Sequence, residues 1–244
     1  GYSISIDKEG YIYICGVFKD SMYINDIKIK TQSGLQDMYI AKLDRNGELK
    51  WIRNFNKSGD VLVAKEILCD NNGNLYCLGG VVSNYSTINL NFDNNQATLN
   101  KGELFLLKMD TSGSVKWLRR VGGMAKESDE VGKSLGIIKD SLIYVVGDYD
   151  RSFTIGNVTL ETSYMIQNVF MSVFNDKGDL KFIRSFGNKQ SKTSGIQMLI
   201  GNNDIHLFFG VQDSLEIEDI QCYGLGLVYL KLDLNNNIVK SNVF

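Results

Sequence analysis

Apolar and polar positions along the chain fall in short runs that end in Gly, Asn or Asp, which is the signature of β-strands joined by tight turns. In the opening stretch SISI leads through Asp7-Lys8-Glu9-Gly10 into YIYICGVF, a hairpin in which Asp accepts backbone N–H bonds and Gly takes positive φ. SMYI and IKIK then flank Asn25-Asp26, a two-residue hairpin signal echoed by FTI-GN-VTL and LEI-ED-IQC. MYIAKLD follows, turns through Asp44-Arg45-Asn46-Gly47 and returns as ELKWIRNF. Such a unit holds four main strands and a small hairpin excursion. No long amphipathic helix is visible; the nearest candidate, 124–135, is interrupted by Gly132.

The unit is written four times. YIYICG, NLYCLG, LIYVVG and IHLFFG end in Gly16, Gly79, Gly147 and Gly210, and ELKWIRNF, SVKWLRRV, DLKFIRSF and NIVKSNVF follow Gly47, Gly113, Gly178 and Asn236. The first landmark recurs at spacings of 63, 68 and 63 residues and the second at 66, 65 and 58, a common period close to the 61 that is a quarter of the 244 residues. Without a gap, the same alignment puts Gly1, Ala64, Gly132 and Gly195 in one slot. Two positions on come Ser3, Glu66, Ser134 and Gln197, all polar, and then Ile4, Ile67, Leu135 and Met198, all apolar. Units that present the same faces to their neighbours require this agreement in size and polarity.

The second strand of each unit decides the architecture. In YIYICG, LYCLGG and LIYVVG both alternating faces are apolar, so these strands are covered on both sides. With no helices to cover them, other sheets must do so. The predicted fold is therefore an all-β propeller of four four-stranded antiparallel blades within one domain, with approximate blades 1–58, 59–129, 130–193 and 194–244. A linear solenoid is the alternative.

The D-x-x-G-N-L-Y-x-x-G stretch at Asp70 to Gly79 and the K-x-D-x-x-G-x-x-K-W stretch at Lys42 to Trp51 resemble the bacterial β-propeller repeats of the SBBP (seven-bladed propeller) type. The resemblance spans essentially the whole chain. It implies surface or adhesion-type modules with no shared catalytic residues. The D-x-x-G turn becomes Ile138-Lys139-Asp140-Ser141 and Gly201-Asn202-Asn203-Asp204 in the later units, and only four units are present. They are four whole blades with no strand exchange between termini, which favours a piece of a larger propeller over a closed ring of four.

Composition narrows the field. Hydrophobic residues make up 43% and charged residues 22%, the balance of a globular protein. Twenty-six basic against 28 acidic residues give a formal charge of −2 and no reason to expect nucleic acid. No apolar run is long enough to cross a bilayer as a helix, and the start carries no signal peptide, as a trimmed chain would also lack. Cys15, Cys69, Cys77 and Cys222 replace aliphatic residues in strands and read as buried free thiols. They lean toward a reducing setting, while the family resemblance leans toward a bacterial surface. The 23 asparagines suit an AT-rich bacterial coding bias, so the sequons at Asn56, Asn84 and Asn157 are read as accidents.

Residues with chemistry divide into scaffold and candidates. Trp51 and Trp117, with Phe182 in the same slot, recur as blade-to-blade wedges, and Arg53, Arg119 and Arg184 as locally paired or solvated charge. His206, the single histidine, takes the slot of Ile12, Leu75 and Ile143 and reads as a strand histidine. The thiols lack metal-knuckle spacing, the Asp-Asn turns place Gly wrongly for a calcium loop, and the Gly-Gly pairs open no helix. No cofactor or metal is expected. Innermost strands of all blades converge near a propeller axis, so Ser3, Glu66, Ser134 and Gln197 are the candidate binding set; their polarity is equally that of a wetted channel. The expectation is a non-catalytic β-propeller that works as an interaction or structural module at a bacterial surface or in a larger assembly, with a protein or glycan as partner. A glycan hydrolase or lyase with carboxylates near the channel is the alternative.

Overall fold

Asp and Asn side chains set the turns on which the sheets are built. In the computed structural model, which describes residues 1–31, 36–55, 61–82, 87–123, 134–163 and 166–244, the Asp44 carboxylate accepts the N–H groups of Asn46 (2.9 Å) and Glu48 (3.0 Å). Asp110, Asn175 and Asp233 hold the equivalent turns in the same way. Gly47 takes φ +86° there, and Asn236 fills the same position at +66°, the left-handed region that Asn tolerates best after Gly. Asp7 and Asp70 build the earlier turns. These acidic loops are turns whose carboxylates are spent on backbone N–H groups.

Between the turns run 24 strands and, among the described residues, no helix. The first blade comprises β1 (Ser3–Ile6), β2 (Ile12–Lys19), β3 (Ser21–Ile24), β4 (Ile27–Lys30), β5 (Gln36–Leu43) and β6 (Leu49–Asn54). The second repeats it with β7 (Leu62–Cys69), β8 (Asn74–Val81), β9 (Thr87–Phe92), β10 (Asn95–Asn100), β11 (Glu103–Asp110) and β12 (Val115–Gly123). The third comprises β13 (Ser134–Ile138), β14 (Leu142–Asp150), β15 (Ser152–Ile155), β16 (Val158–Glu161), β17 (Gln167–Asn175) and β18 (Leu180–Phe186). The fourth comprises β19 (Thr193–Ile200), β20 (Ile205–Val211), β21 (Ser214–Ile217), β22 (Ile220–Tyr223), β23 (Gly226–Leu232) and β24 (Ile238–Val243).

Each blade is a four-stranded antiparallel sheet with a two-stranded hairpin between its second and third strands. The all-β class and the four blade-like sheets expected from the repeat are present. A fourth two-residue hairpin turn, Asp93-Asn94, joins the three read from the sequence. Most of the candidate helix at 124–135 and the sequons at Asn56 and Asn84 lie outside the described residues; Ser134 and Leu135 are in strand β13.

The chain divides into two compact units, Gly1–Gly122 and Gly123–Phe244, each holding two blades. In the first, β7 lies across β1, β2 and β5. Tyr13, Cys15, Met38 and Ile40 meet Ile67, Leu75, Cys77, Phe105 and Leu107 in one buried core. Polar clasps complete the interface: Ser3 and Ser5 Oγ accept the N–H groups of Ile67 (3.2 Å) and Cys69 (2.9 Å), and Trp51 Nε1 donates to the Thr111 carbonyl (3.0 Å). Arg53 forks onto the Asp93 carboxylate at 2.6 and 2.8 Å, and Phe55 meets Phe92 edge-on at 5.0 Å. The wedge role of Trp51 and the local pairing of Arg53 therefore hold in this unit. In the second unit, Tyr144, Val146, Val169 and Met171 pack with Met198, Ile205, Leu207, Phe209, Val228 and Leu230. Arg184 reaches Glu218 (2.7 Å), as Arg53 reaches Asp93.

Strand register gives exact equivalences. Ile12 pairs with Leu43, Leu75 with Met109, Ile143 with Phe174 and Ile205 with Leu232, each pair adjoining the Asp or Asn of the following turn. The slot of Ile12, Leu75 and Ile143 is thus filled by Ile205. His206 instead occupies the slot of Tyr13, Tyr76 and Tyr144, a correction to the ungapped alignment. The turn before β20, Gly201–Asp204, is one residue shorter than Asp7–Tyr11, so everything after it slips by one.

The slip is compensated in the core. Tyr39, Phe105 and Phe170 lie opposite Gly16, Gly79 and Gly147, whereas in the fourth blade Phe209 takes the glycine slot and Val228 the aromatic one.

Candidate functional site

The four polar residues of the inner slot retain their equivalence, pairing with Cys15, Leu78, Val146 and Phe208 respectively. In the first unit, the hydroxyl of Ser3 is engaged by the Ile67 backbone, and half-buried Glu66 adjoins that residue on β7. In the second unit, Ser134 is buried on β13 and Gln197 is exposed on β19. The free thiols are buried except for half-buried Cys69, and burial raises the Cys69 thiol to about 12. No group of three or more potential metal ligands forms among the described residues.

A denser polar arrangement lies on the fourth blade. Strands β20 and β23 bury alternate residues, Ile205, Leu207 and Phe209 with Val228, Leu230 and Leu232. The period of two sends His206 and Phe208, with Leu227, Tyr229 and Lys231, to the opposite face. The central strands of the second and third blades lack this alternation and are buried along nearly their whole length. On that opposite face His206 bridges two partners, Nδ1 to the Tyr229 hydroxyl (2.9 Å) and Nε2 to Asp204 Oδ1 (3.0 Å). Lys231 Nζ lies 2.7 Å from the other carboxylate oxygen. Lys231 holds the Asp204 carboxyl below the usual carboxylate range; burial opposes this, and the His206 contact adds to it. An ionised carboxylate only accepts, so in neutral His206 the proton sits on Nε2 and Nδ1 accepts from the Tyr229 hydroxyl.

The rings form a strip beside this network. Tyr229 lies 5.9 Å from His206 with planes 20° apart, and 4.9 Å from Phe208. Leu199 pairs across from His206, Asn242 from Tyr229 and Lys240 from Lys231; Phe244 exchanges backbone hydrogen bonds with Leu227. Leu199 is 65% exposed and Phe244 71%. The equivalent positions in the first blade carry Tyr13, Cys15, Met38, Ile40 and Trp51, which form or pack against the inter-blade core. The Trp-x-Arg clasp of β6 is replaced by Lys240-Ser241-Asn242 in β24.

Sequence reading missed this cluster because it placed His206 one residue out of register, among aliphatic rather than tyrosine equivalents. It also missed a recurring buried polar slot. Asp37 accepts from Asn54 (2.7 Å), Glu103 is forked by Arg120, and Asn168 donates to the Asn188 carbonyl (2.8 Å). The signal was a polar residue, an aliphatic residue and an aromatic ring in succession, as in Asp37-Met38-Tyr39, Glu103-Leu104-Phe105 and Asn168-Val169-Phe170. Elsewhere, the outer face of the β9–β10 hairpin carries an amide and hydroxyl ladder, Asn89 with Thr98 and Asn91 opposite Gln96, lining an open depression of about 430 Å³.

Comparison with known proteins adds a likeness of shape. No protein-family model matches the chain, and no curated protein matches it. Ten solved chains match in structure; one is a protein of unknown function from Bacteroides caccae, with TM-score 0.41 and 10% identity over all of this chain and 81% of that one. At that distance the likeness carries no argument about function.

Proposed function

We propose that the chain is a non-catalytic interaction module of β-propeller type, related to the SBBP-like repeats that its turns resemble. The observation that carries this reading is the altered face of the fourth blade. Where the first and third blades bury a Tyr-centred apolar face against the next sheet, the fourth leaves His206, Tyr229 and Phe208 half-buried and Leu199 and Phe244 exposed. Polarity alone would let such a face meet water, and it does not call for aromatic and aliphatic side chains around a hydrogen-bonded centre. Such mixed faces characterise binding surfaces. The turn motifs and the asparagine-rich composition favour a bacterial surface or assembly role, with a protein or glycan as partner.

The test is an array of glycans and peptides probed with the chain and with Leu199→Lys and Tyr229→Ala variants of unchanged melting temperature. Ligands retained by the parent and lost by both variants support the reading. Turnover of a polysaccharide that depends on Glu66 would instead favour the hydrolase or lyase alternative.

A further inference from the structure

The fourth blade's exposed face carries more positive charge than its network uses. Lys231 and Lys240 stand directly opposite each other on β23 and β24, a like-charge pair that destabilises a sheet. Asp204 pairs with Lys231 at 2.7 Å, and its other oxygen is taken by His206. Lys240 has no ion-pair partner among the described residues and is exposed. The equivalent position in the first blade is Trp51, whose ring nitrogen clasps the next blade, so a wedge has been exchanged for an unneutralised ammonium group.

Beside that charge lies the strip of rings. Phe208, Tyr229 and His206 run across neighbouring strands with their tilts limited to 36° and 20° between successive planes. Flanking them, Gln197 and Asn242 supply amides with both donors and acceptors. Flat rings suit the C–H faces of pyranoses, amides suit their hydroxyls, and an unpaired ammonium suits a carboxylate. A neutral sugar would leave Lys240 uncompensated. An acidic peptide would satisfy Lys240 but gives the ring strip and the paired amides no regular counterpart.

We propose that this face binds an anionic glycan, a uronate-containing oligosaccharide whose rings lie over Tyr229 and Phe208 and whose carboxylate pairs with Lys240. This rests on the interaction-module reading and names the ligand class of the same site. The Asp204–His206–Tyr229 chain acts as a positioning network: it fixes the Tyr229 ring and keeps Lys231 occupied, leaving Lys240 as the cation available to the ligand.

The experiment is calorimetric titration of the full chain at pH 7 with a tetragalacturonate, its fully methyl-esterified neutral counterpart and a tetraglutamate peptide. The acid sugar is expected to bind, its affinity falling as salt rises, and the neutral ester to bind more weakly. Tyr229→Ala and Phe208→Ala should each weaken binding about tenfold. Lys240→Gln, on an exposed edge-strand position, relieves the like-charge pair with Lys231 and should not lower the melting temperature, while removing most of the salt dependence of binding. Equal binding of acid and ester, an unaffected Lys240→Gln variant, or no uronate binding would overturn the proposal. Binding of tetraglutamate alone would overturn the glycan assignment and leave the module reading standing; an array ligand indifferent to Leu199→Lys and Tyr229→Ala would count against the module reading itself.

Discussion

Replacing Gly79 with alanine tests the packing logic shared by the blades, because its sign is not the one strand propensity dictates. Gly79 has ordinary extended backbone, absent from the positive-φ positions, so an added methyl should stabilise the strand by about 0.5–1 kcal/mol through chain entropy alone. A Cβ built there, however, falls 2.1 Å from Phe105 Cζ and within 2.7 Å of two further ring atoms. The ring is fully buried and meets Phe92 edge-on at 6.2 Å, so it cannot swing into solvent. Overpacking of this kind costs about 1–3 kcal/mol, which outweighs the entropic gain. The fourth blade shows the remedy, Phe209 opposite Val228. We therefore expect Gly79→Ala to destabilise by about 2 kcal/mol and Phe105→Val by about 2 kcal/mol. The double variant should be less destabilised than the sum by at least about 1 kcal/mol. Urea unfolding followed by circular dichroism measures all three. Additive losses, or a stabilised Gly79→Ala, would refute the argument.

Other outcomes follow from individual contacts. Arg53→Lys, which cannot fork onto Asp93, should cost about 1 kcal/mol or less in urea unfolding, since both groups are partly exposed. Tyr13→Phe loses a hydrogen bond to Asp7 of 2.9 Å and should cost about 1 kcal/mol, whereas Tyr144→Phe removes a buried hydroxyl with no hydrogen-bond partner among the described residues and should be neutral or stabilising. Burial raises the Glu103 carboxyl, but Arg120 and the Asn100 N–H outweigh it and lower its pKa. A carboxyl lowered on folding contributes stability that is complete above its unfolded value and lost as pH falls through the folded one, so Glu103→Gln should flatten the acid limb of stability below about pH 4.5. With its thiol raised to about 12, Cys69 should react with iodoacetamide at pH 8 far more slowly in the folded chain than in urea, as mass spectrometry of the labelled peptide will show.

The fourfold period, the strands, the Asp-based turns and the double-sided burial of β8 and β14 were legible in the sequence, because each is local or recurs at a fixed spacing. The fourth blade was misread by one residue for an equally physical reason. Gly210 follows an apolar run as Gly16, Gly79 and Gly147 do, and an alignment without gaps cannot register a turn shortened by one. The exchange of Gly and aromatic for Phe209 and Val228 was present in the letters, but it needs the cross-strand partner to be known. The inner-slot set was visible through its shared polarity, yet the engagement of Ser3 by the neighbouring β7 backbone depends on packing between blades. The Asp204, His206, Tyr229 and Lys231 network joins residues on two strands and a turn, and its meaning comes from what the equivalents of His206 and Tyr229 do elsewhere: Tyr13, Tyr76 and Tyr144, with Ile40, Leu106 and Met171, are fully buried, whereas these two are half-buried.

The central claim is that the fourth blade is a slipped repeat in which His206 and Tyr229 take slots that are buried in the other blades and meet water instead. Hydroxyl-radical footprinting with residue-level mass spectrometry tests it most directly, since oxidation reports side-chain exposure in solution. The account predicts rapid modification of Leu199, His206, Tyr229 and Phe244, and protection of Ile205, Tyr13 and Tyr144. Protection of His206 and Tyr229 to the level of Tyr13, or reaction at Ile205 in place of His206, would contradict it.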